Sequence, residues 1–125
     1  MAEYDIVIPT IGRPSLRSTL RSLEECGAQP RQLVIVDDRR DPTTTLEVRT
    51  GIGPVTLLQA GGEGPANARN LGLSRCTSPW VVFLDDDVVV SPTWGEDLDA
   101  DLRNAGPRVA AIQGDVSVPL PTLRR

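Results

Sequence analysis

Three short apolar runs, each followed at once by polar residues, restrict the fold of this chain more than any other feature. The runs cover residues 4–8, 33–36 and 80–84, and a weaker run covers residues 55–58. They are rich in β-branched side chains and short for buried helices, so we predict four strands. The run at 80–84 has no polar face, which favours a strand buried on both sides.

A helical pattern follows the first of these strands. Leucines recur on one helical face from Leu16 to Leu23. Ser15 is the predicted capping residue at the start of this helix, and Gly27 is its predicted end.

Strands and helices alternate along the rest of the chain. The alternation predicts an α/β fold, a Rossmann-like doubly wound and mostly parallel sheet, in one domain over residues 1–125. The further predicted elements are a helix at 66–74, a helix from a capping box at Thr93 and Glu96 to residue 104, strands at 109–112 and 116–120, and a frayed tail at 119–125.

The composition excludes several classes of protein. The formal net charge is −4, so we expect no general attraction to nucleic acid or to an anionic membrane. The chain holds no histidine, which leaves carboxylate oxygens as metal ligands and favours Mn²⁺ or Mg²⁺. No apolar run approaches the roughly 20 residues of a membrane span. The acidic start has no signal-peptide pattern, so we expect a cytoplasmic location.

Polar clusters follow three of the predicted strands at the point where each strand ends. The carboxyl ends of parallel strands meet at one edge of a sheet, where open α/β sheets bind ligands, so we predict one shared site. Three adjacent carboxylates repel one another, which favours a divalent cation, a ribose or both over a purely structural role. The candidate residues are Pro9, Thr10, Arg13, Asp37, Asp38, Asp85, Asp86 and Asp87.

A glycine-rich loop at residues 61–65 supplies a fourth part of the predicted site. Its backbone N–H groups and the positive end of the next helix would attract an anion. Gly64, Asn67 and Arg69 are the candidate residues, and Arg69 would reach a phosphate or stack on a base. The loop lacks the third glycine of a dinucleotide fingerprint, and the chain has no P-loop sequence.

Together these residue types fit a nucleoside diphosphate and a divalent metal. Asp87 would hold the metal that neutralises the diphosphate, and Asp85 would accept hydrogen bonds from the ribose. Asp37 or Asp38, with the backbone of Thr10, would recognise the edge of the base.

Four ordered motifs resemble those of the family 2 glycosyltransferases, which have the GT-A fold. They are Val7-Ile8-Pro9-Thr10, Val34-Ile35-Val36-Asp37-Asp38, Gly64-Pro65-Ala66-Asn67-Ala68-Arg69-Asn70-Leu71-Gly72 and Phe83-Leu84-Asp85-Asp86-Asp87. The resemblance implies an enzyme that binds a nucleotide-diphospho-sugar donor through a divalent metal and transfers the sugar with inversion. It also implies a nucleoside pocket at Pro9-Thr10 and Asp37-Asp38 and a DXD motif in which Asp85 faces the ribose and Asp87 the metal.

The resemblance also indicates what this sequence lacks. Family members continue into an acceptor-binding half with the catalytic base, so we expect a domain truncated after the DXD region, and we identify no catalytic residue. An incomplete sheet would expose apolar surface, and self-association is the corresponding hypothesis.

Three alternatives stand beside this interpretation. They are a non-catalytic nucleotide-binding remnant, a phosphatase of the haloacid dehalogenase type with Asp85 as nucleophile, and a receiver-like signalling module. The last two need a lysine, and this chain has none.

Overall fold

The computed structural model describes residues 2–106, which form four parallel strands and three helices. None of these helices is both long enough and apolar enough to cross a membrane. The predicted strands at 109–112 and 116–120 and the predicted tail at 119–125 lie outside the described residues. The strands are β1 (Tyr4–Thr10), β2 (Gln32–Asp37), β3 (Val55–Gln59) and β4 (Trp80–Phe83), and the helices are α1 (Ser15–Glu25), α2 (Pro65–Leu73) and α3 (Trp94–Asn104).

The central strands β1 and β2 place side chains on both faces of the sheet, whose order is β3-β2-β1-β4. Ile8 and Ile35 pair in register and pack with the leucines of α1 on one face. Val7 and Val34 pair likewise and pack with Ala68 of α2 on the other face. Helices therefore cover both faces of a parallel sheet, and the predicted α/β doubly wound fold is confirmed.

The burial predicted for the strand at 80–84 is wrong. β4 ends at Phe83 and pairs with β1 alone among the described strands, so it lies at an edge of the sheet that they form. Phe83 is 43% exposed, and the other three residues of β4 are half-buried. A run of apolar residues indicates a strand, but it does not show whether a neighbour covers each side of that strand.

The predicted end of α1 at Gly27 is confirmed. Gly27 has a φ of +71°, a left-handed conformation that glycine adopts without a steric cost. Its amide donates to the Glu24 carbonyl at 3.1 Å, and the amide of Ala28 donates to the Leu23 carbonyl at 3.1 Å. These paired bonds form a Schellman motif, which turns the chain from α1 towards β2.

Neither of the two predicted N-terminal capping bonds forms, although Thr93 does occupy the capping position of α3. Ser15 is already helical and makes no capping bond, because Pro14 occupies the position before α1. Thr93 precedes α3, but its hydroxyl donates to the Asp97 carboxylate at 3.0 Å instead of accepting a bond from a helix amide. The capping box expected with Glu96 is therefore not formed.

Helix α2 approaches the sheet closely at Gly72. A β-carbon added to Gly72 would lie 2.5 Å from Cγ1 of Val7 and 3.1 Å from Cγ2 of Val36, and both valines are fully buried. We expect Gly72→Ala to lower the free energy of unfolding by about 2 kcal/mol, because overpacking a filled core costs about 1–3 kcal/mol. Urea unfolding measures the change.

Asn70 provides a matched control for this prediction, since it is exposed on the same helix. Asn70→Ala should change the free energy of unfolding by less than about 0.5 kcal/mol. A Gly72→Ala variant as stable as the wild type would show that the helix and sheet separate easily at this point.

Candidate functional site

Side chains join the carboxyl end of β1 to the segment that follows β4. Thr10 Oγ1 donates to Oδ2 of Asp86 at 2.7 Å and accepts a bond from the Gly12 amide at 3.0 Å. Arg13 adds an ion pair to the same carboxylate, with Nη2 lying 2.8 Å from Oδ1 of Asp86. The structure thus brings Thr10, Arg13 and Asp86 together at one edge of the sheet.

The three consecutive aspartates, Asp85, Asp86 and Asp87, differ in exposure. The side chain of Asp86 is 1% exposed, whereas those of Asp85 and Asp87 are 61% and 54% exposed. Asp86 is predicted to bind the nucleotide-sugar, but in the structure its carboxylate contacts Thr10 and Arg13 of the same chain. The carboxylates of Asp85 and Asp87 are the two accessible to a ligand.

Two arginines lie beside the exposed carboxylates. Nη1 of Arg13 is 4.0 Å from Oδ2 of Asp87, and Nη2 of Arg69 is 3.2 Å from Oδ1 of Asp85. All four side chains are at least 40% exposed, so water screens these pairs and they add little to stability. Such pairs can rearrange when a ligand enters, and a guanidinium group suits phosphate oxygens.

Asp37, at the end of β2, binds an arginine that the sequence analysis did not select. Arg39 donates from Nε to Oδ1 at 2.9 Å and from Nη2 to Oδ2 at 2.8 Å. These hydrogen bonds hold the pKa of Asp37 below its ordinary value, although burial opposes the shift. A ligand that approached the Asp37 carboxylate would therefore have to displace Arg39. The sequence indicates this pair only through its spacing, since Arg39 follows Asp37 by two residues.

Asp38 contacts the glycine-rich loop, which covers residues 61–64 in the structure because Pro65 already belongs to α2. Its carboxylate accepts hydrogen bonds from the amides of Gly62, Glu63 and Gly64, at 3.0, 3.1 and 3.1 Å. The loop does gather N–H groups around an anion, as the sequence predicts, but that anion is Asp38. Asn67 lies exposed on the first turn of α2.

A cleft of about 250 Å³ lies at this edge of the sheet. Two of its lining residues, Ile11 and Pro65, were not predicted, and Ile11 is 59% exposed beside the charged groups. The predicted residues Asp37, Gly64, Asn67 and Asp87 do not line it. The lining consists of Pro9, Thr10, Ile11, Arg13, Asp38, Pro65, Arg69, Asp85 and Asp86.

A larger and more open hollow of about 450 Å³ lies at the opposite edge. It is formed by the end of α1 and the segments that lead into β2 and β3, and Glu24 is the one charged residue among those lining it. Ligands of open parallel sheets bind at the carboxyl ends of the strands, so the smaller cleft is the candidate site.

The carboxylate oxygens at the cleft and beside it suit a hard divalent cation, for which the protein would supply only some of the ligands. Asp85 and Asp87 offer exposed carboxylates, the ligand type that Mn²⁺ and Mg²⁺ prefer. Within residues 2–106, no three acidic, thiol or imidazole side chains converge on one point. Mg²⁺ is commonly held by one or two carboxylates together with phosphate oxygens and water, which fits a metal that binds with a diphosphate.

A parallel, doubly wound sheet with a charged cleft at the carboxyl ends of its strands defines a class of α/β ligand-binding domains. Within that class, the chain belongs to glycosyltransferase family 2, because the model of that family, described as "Glycosyl transferase family 2", matches residues 5–119. The resemblance noted in the sequence is confirmed. The membership favours neither the phosphatase nor the signalling module.

Individual relatives are similar to this chain over parts of their length. The "Succinoglycan biosynthesis protein ExoM" of Rhizobium meliloti is 31% identical over 120 residues, which cover 90% of this chain and 38% of that protein. The "Pre-mycofactocin glycosyltransferase" of Mycobacterium tuberculosis is 40% identical over 55 residues, which cover 40% of this chain and 12% of that protein. The chain thus spans less than two fifths of either relative.

A solved structure shows the same fold. The crystal structure of S. aureus TarS 1–349 matches with a TM-score of 0.64 and 17% identity, over 90% of this chain and 38% of that chain. This agreement confirms the GT-A type of fold that the motifs indicate.

Proposed function

We propose that this chain binds a nucleotide-diphospho-sugar through a divalent cation and supplies the donor-binding part of a sugar transfer to an acceptor. The observation that carries the proposal is the cleft at the carboxyl ends of β1 and β4. The exposed carboxylate of Asp85 lines this cleft together with Arg13 and Arg69, and the exposed carboxylate of Asp87 lies beside it, 4.0 Å from Arg13, in a member of glycosyltransferase family 2. This set of groups suits a ligand with a ribose and an anionic diphosphate.

The residues take distinct roles in this proposal. Asp87 holds the metal, with Asp85 as its second carboxylate or as the acceptor of a ribose hydroxyl. Mn²⁺ or Mg²⁺, when bound, neutralises the diphosphate and assists its departure as a Lewis acid. Arg13 exchanges Asp87, and Arg69 exchanges Asp85, for phosphate oxygens, while Asp86 continues to hold Arg13. Pro9, Ile11 and Pro65 form the apolar part of the cleft.

The acceptor side of an inverting transfer needs a carboxylate base that removes a proton from the attacking hydroxyl. Glu96 and Asp97 lie on the exposed first turn of α3, and Asp97 accepts a hydrogen bond from Thr93 at 3.0 Å. We assign the base to neither of them. The proposal therefore predicts donor binding by this chain with little or no transfer.

Isothermal titration of the full chain with nucleoside diphosphates, in the presence and absence of Mn²⁺, tests the proposal. We expect one nucleotide of the panel to bind in a Mn²⁺-dependent manner. Asp87→Ala should weaken that binding tenfold or more, because it removes a metal ligand. Asp101→Ala, at an exposed position of α3, is the control and should bind like the wild type. Absence of binding by the wild type, or equal binding by Asp87→Ala, would refute the proposal.

A further inference from the structure

The loop at residues 61–64 adopts a conformation that favours glycine. Gly61, Gly62 and Gly64 have φ values of +79°, +79° and +103°, in the region that other residues rarely adopt. Consecutive N–H groups in such a conformation form a concave surface that binds an anion. The amides of Gly62, Glu63 and Gly64 all donate to Asp38, so its carboxylate occupies this surface.

Asp38 is itself held firmly at the end of β2. It is 7% exposed, and its own amide donates to the carbonyl of Thr10 at 2.8 Å. On the other side of β2, the amide of Ala60 donates to the carbonyl of Asp37 at 2.8 Å. The backbone around Asp38 thus continues the pairing of β2 with both neighbours, and the loop is tied to a rigid part of the sheet.

The loop leads directly into α2. Gly64 is the residue before the helix, and its carbonyl accepts the first helical bond, from the Ala68 amide at 3.0 Å. Arg69 follows on the next turn, lines the cleft and pairs with Asp85. The path of the loop therefore fixes where α2 begins and where Arg69 emerges.

The loop packs closely against the chain at Gly62. A β-carbon added to Gly62 would lie 2.9 Å from Cβ of Arg40 and 3.1 Å from its Cα. Gly62 therefore lies directly against Arg40, in the segment that follows Asp38.

We propose that Asp38 is a positioning residue that holds the glycine-rich loop, and through it the start of α2 and Arg69, in place at the cleft. Its carboxylate serves the loop amides in this role. The effect on donor binding rests on the function proposed above, whereas the effect on the loop does not.

Amide hydrogen exchange of the full chain, followed by NMR, tests the role in the loop. In Asp38→Ala we expect the amides of Gly62, Glu63 and Gly64 to exchange at least tenfold faster, with the amides of β2 unchanged. Asp38→Asn keeps one acceptor oxygen and should restore part of the protection of these amides. If the alanine variant does not fold, the asparagine variant provides the test, with partial loss of protection as the expected result. Glu63→Ala removes an exposed carboxylate from the same loop and should leave all three amides protected.

Titration of the same variants with the bound nucleoside diphosphate and Mn²⁺ tests the consequence at the cleft. We expect Asp38→Ala to weaken binding about tenfold for every nucleoside diphosphate that the wild type binds, and Asp38→Asn to weaken it less. Unchanged loop exchange in Asp38→Ala would overturn the proposal, and so would a loss confined to one base with the loop still protected. If the wild type binds no nucleotide but the loop loses protection, the positioning role stands and the proposed function fails.

Discussion

Replacing Asp5 with alanine is expected to lower the free energy of unfolding by about 3 to 4 kcal/mol. Asp5 is fully buried at the start of β1. Its carboxylate accepts bonds from Nε2 of Gln32 at 3.0 Å, the Thr77 amide at 2.8 Å and the Ser78 hydroxyl at 2.6 Å. Alanine would leave these three part-buried donors without their acceptor, and we take about 1 kcal/mol for each, the low end of the range for an unpaired donor.

Urea unfolding at neutral pH measures this loss. Asp101→Ala removes an exposed carboxylate from α3 and should change the free energy of unfolding by less than about 0.5 kcal/mol. If Asp5→Ala were as stable as this control, the bonds of Asp5 would make no net contribution to the folded state.

The same carboxylate makes stability depend on pH. Burial would raise the pKa of Asp5, but hydrogen bonds from Ser78, Thr77 and Gln32 together outweigh it and bring the pKa below the ordinary 3.8. Because the pKa is lower in the folded chain, this contribution is complete above the unfolded pKa and is lost as pH falls through the folded pKa. The free energy of unfolding should fall less steeply below about pH 4 in Asp5→Asn than in the wild type.

Replacing Asp86 with alanine is expected to weaken Mn²⁺-dependent nucleotide binding on the order of 100-fold, as loss of groups that orient a ligand site can do. Thr10 Oγ1 would lose its buried acceptor, and Arg13 would lose the carboxylate 2.8 Å away that holds it near Asp87. The unpaired hydroxyl should also lower the free energy of unfolding by about 2 kcal/mol. Calorimetric titration and urea unfolding measure the two effects.

Asp86→Asn separates the two contributions of this side chain. Asparagine keeps an acceptor for the Thr10 hydroxyl but has no charge for Arg13, so it should recover most of the stability and only part of the affinity. Wild-type affinity in Asp86→Ala would show that the buried aspartate has no influence on the site.

Much of the fold could be predicted because hydrophobic periodicity and glycine positions report local structure directly. The alternation of apolar runs and helical patterns predicts the parallel sheet, and Gly27 predicts the end of α1. The position of β4 at an edge of the sheet formed by residues 2–106 could not be predicted, because burial of a strand depends on neighbours that are distant in the sequence.

The candidate site could be predicted as a set of residues but not as a set of contacts. Residues that follow parallel strands meet at one edge of the sheet, so the proximity of Thr10 and Asp86 can be predicted from the sequence. A carboxylate accepts hydrogen bonds from whichever donors the folded backbone brings near it. The sequence does not show which donors those will be. The sequence therefore does not predict that Asp37 binds Arg39 or that Asp38 binds the loop amides.

The contacts of Asp5 and Thr10 also set the alignment of β4. The ladder between β1 and β4 is only four residue pairs long, from Tyr4 opposite Trp80 to Val7 opposite Phe83. Asp5 accepts a hydrogen bond from Ser78, just before β4, and Thr10 donates one to Asp86, just after β4. A slip of one residue would move β4 by about 3.3 Å and turn its side chains to the other face, which would break both contacts at once. These two contacts therefore allow a single register for β4, and that register fixes the position of the acidic residues after it relative to the rest of the cleft.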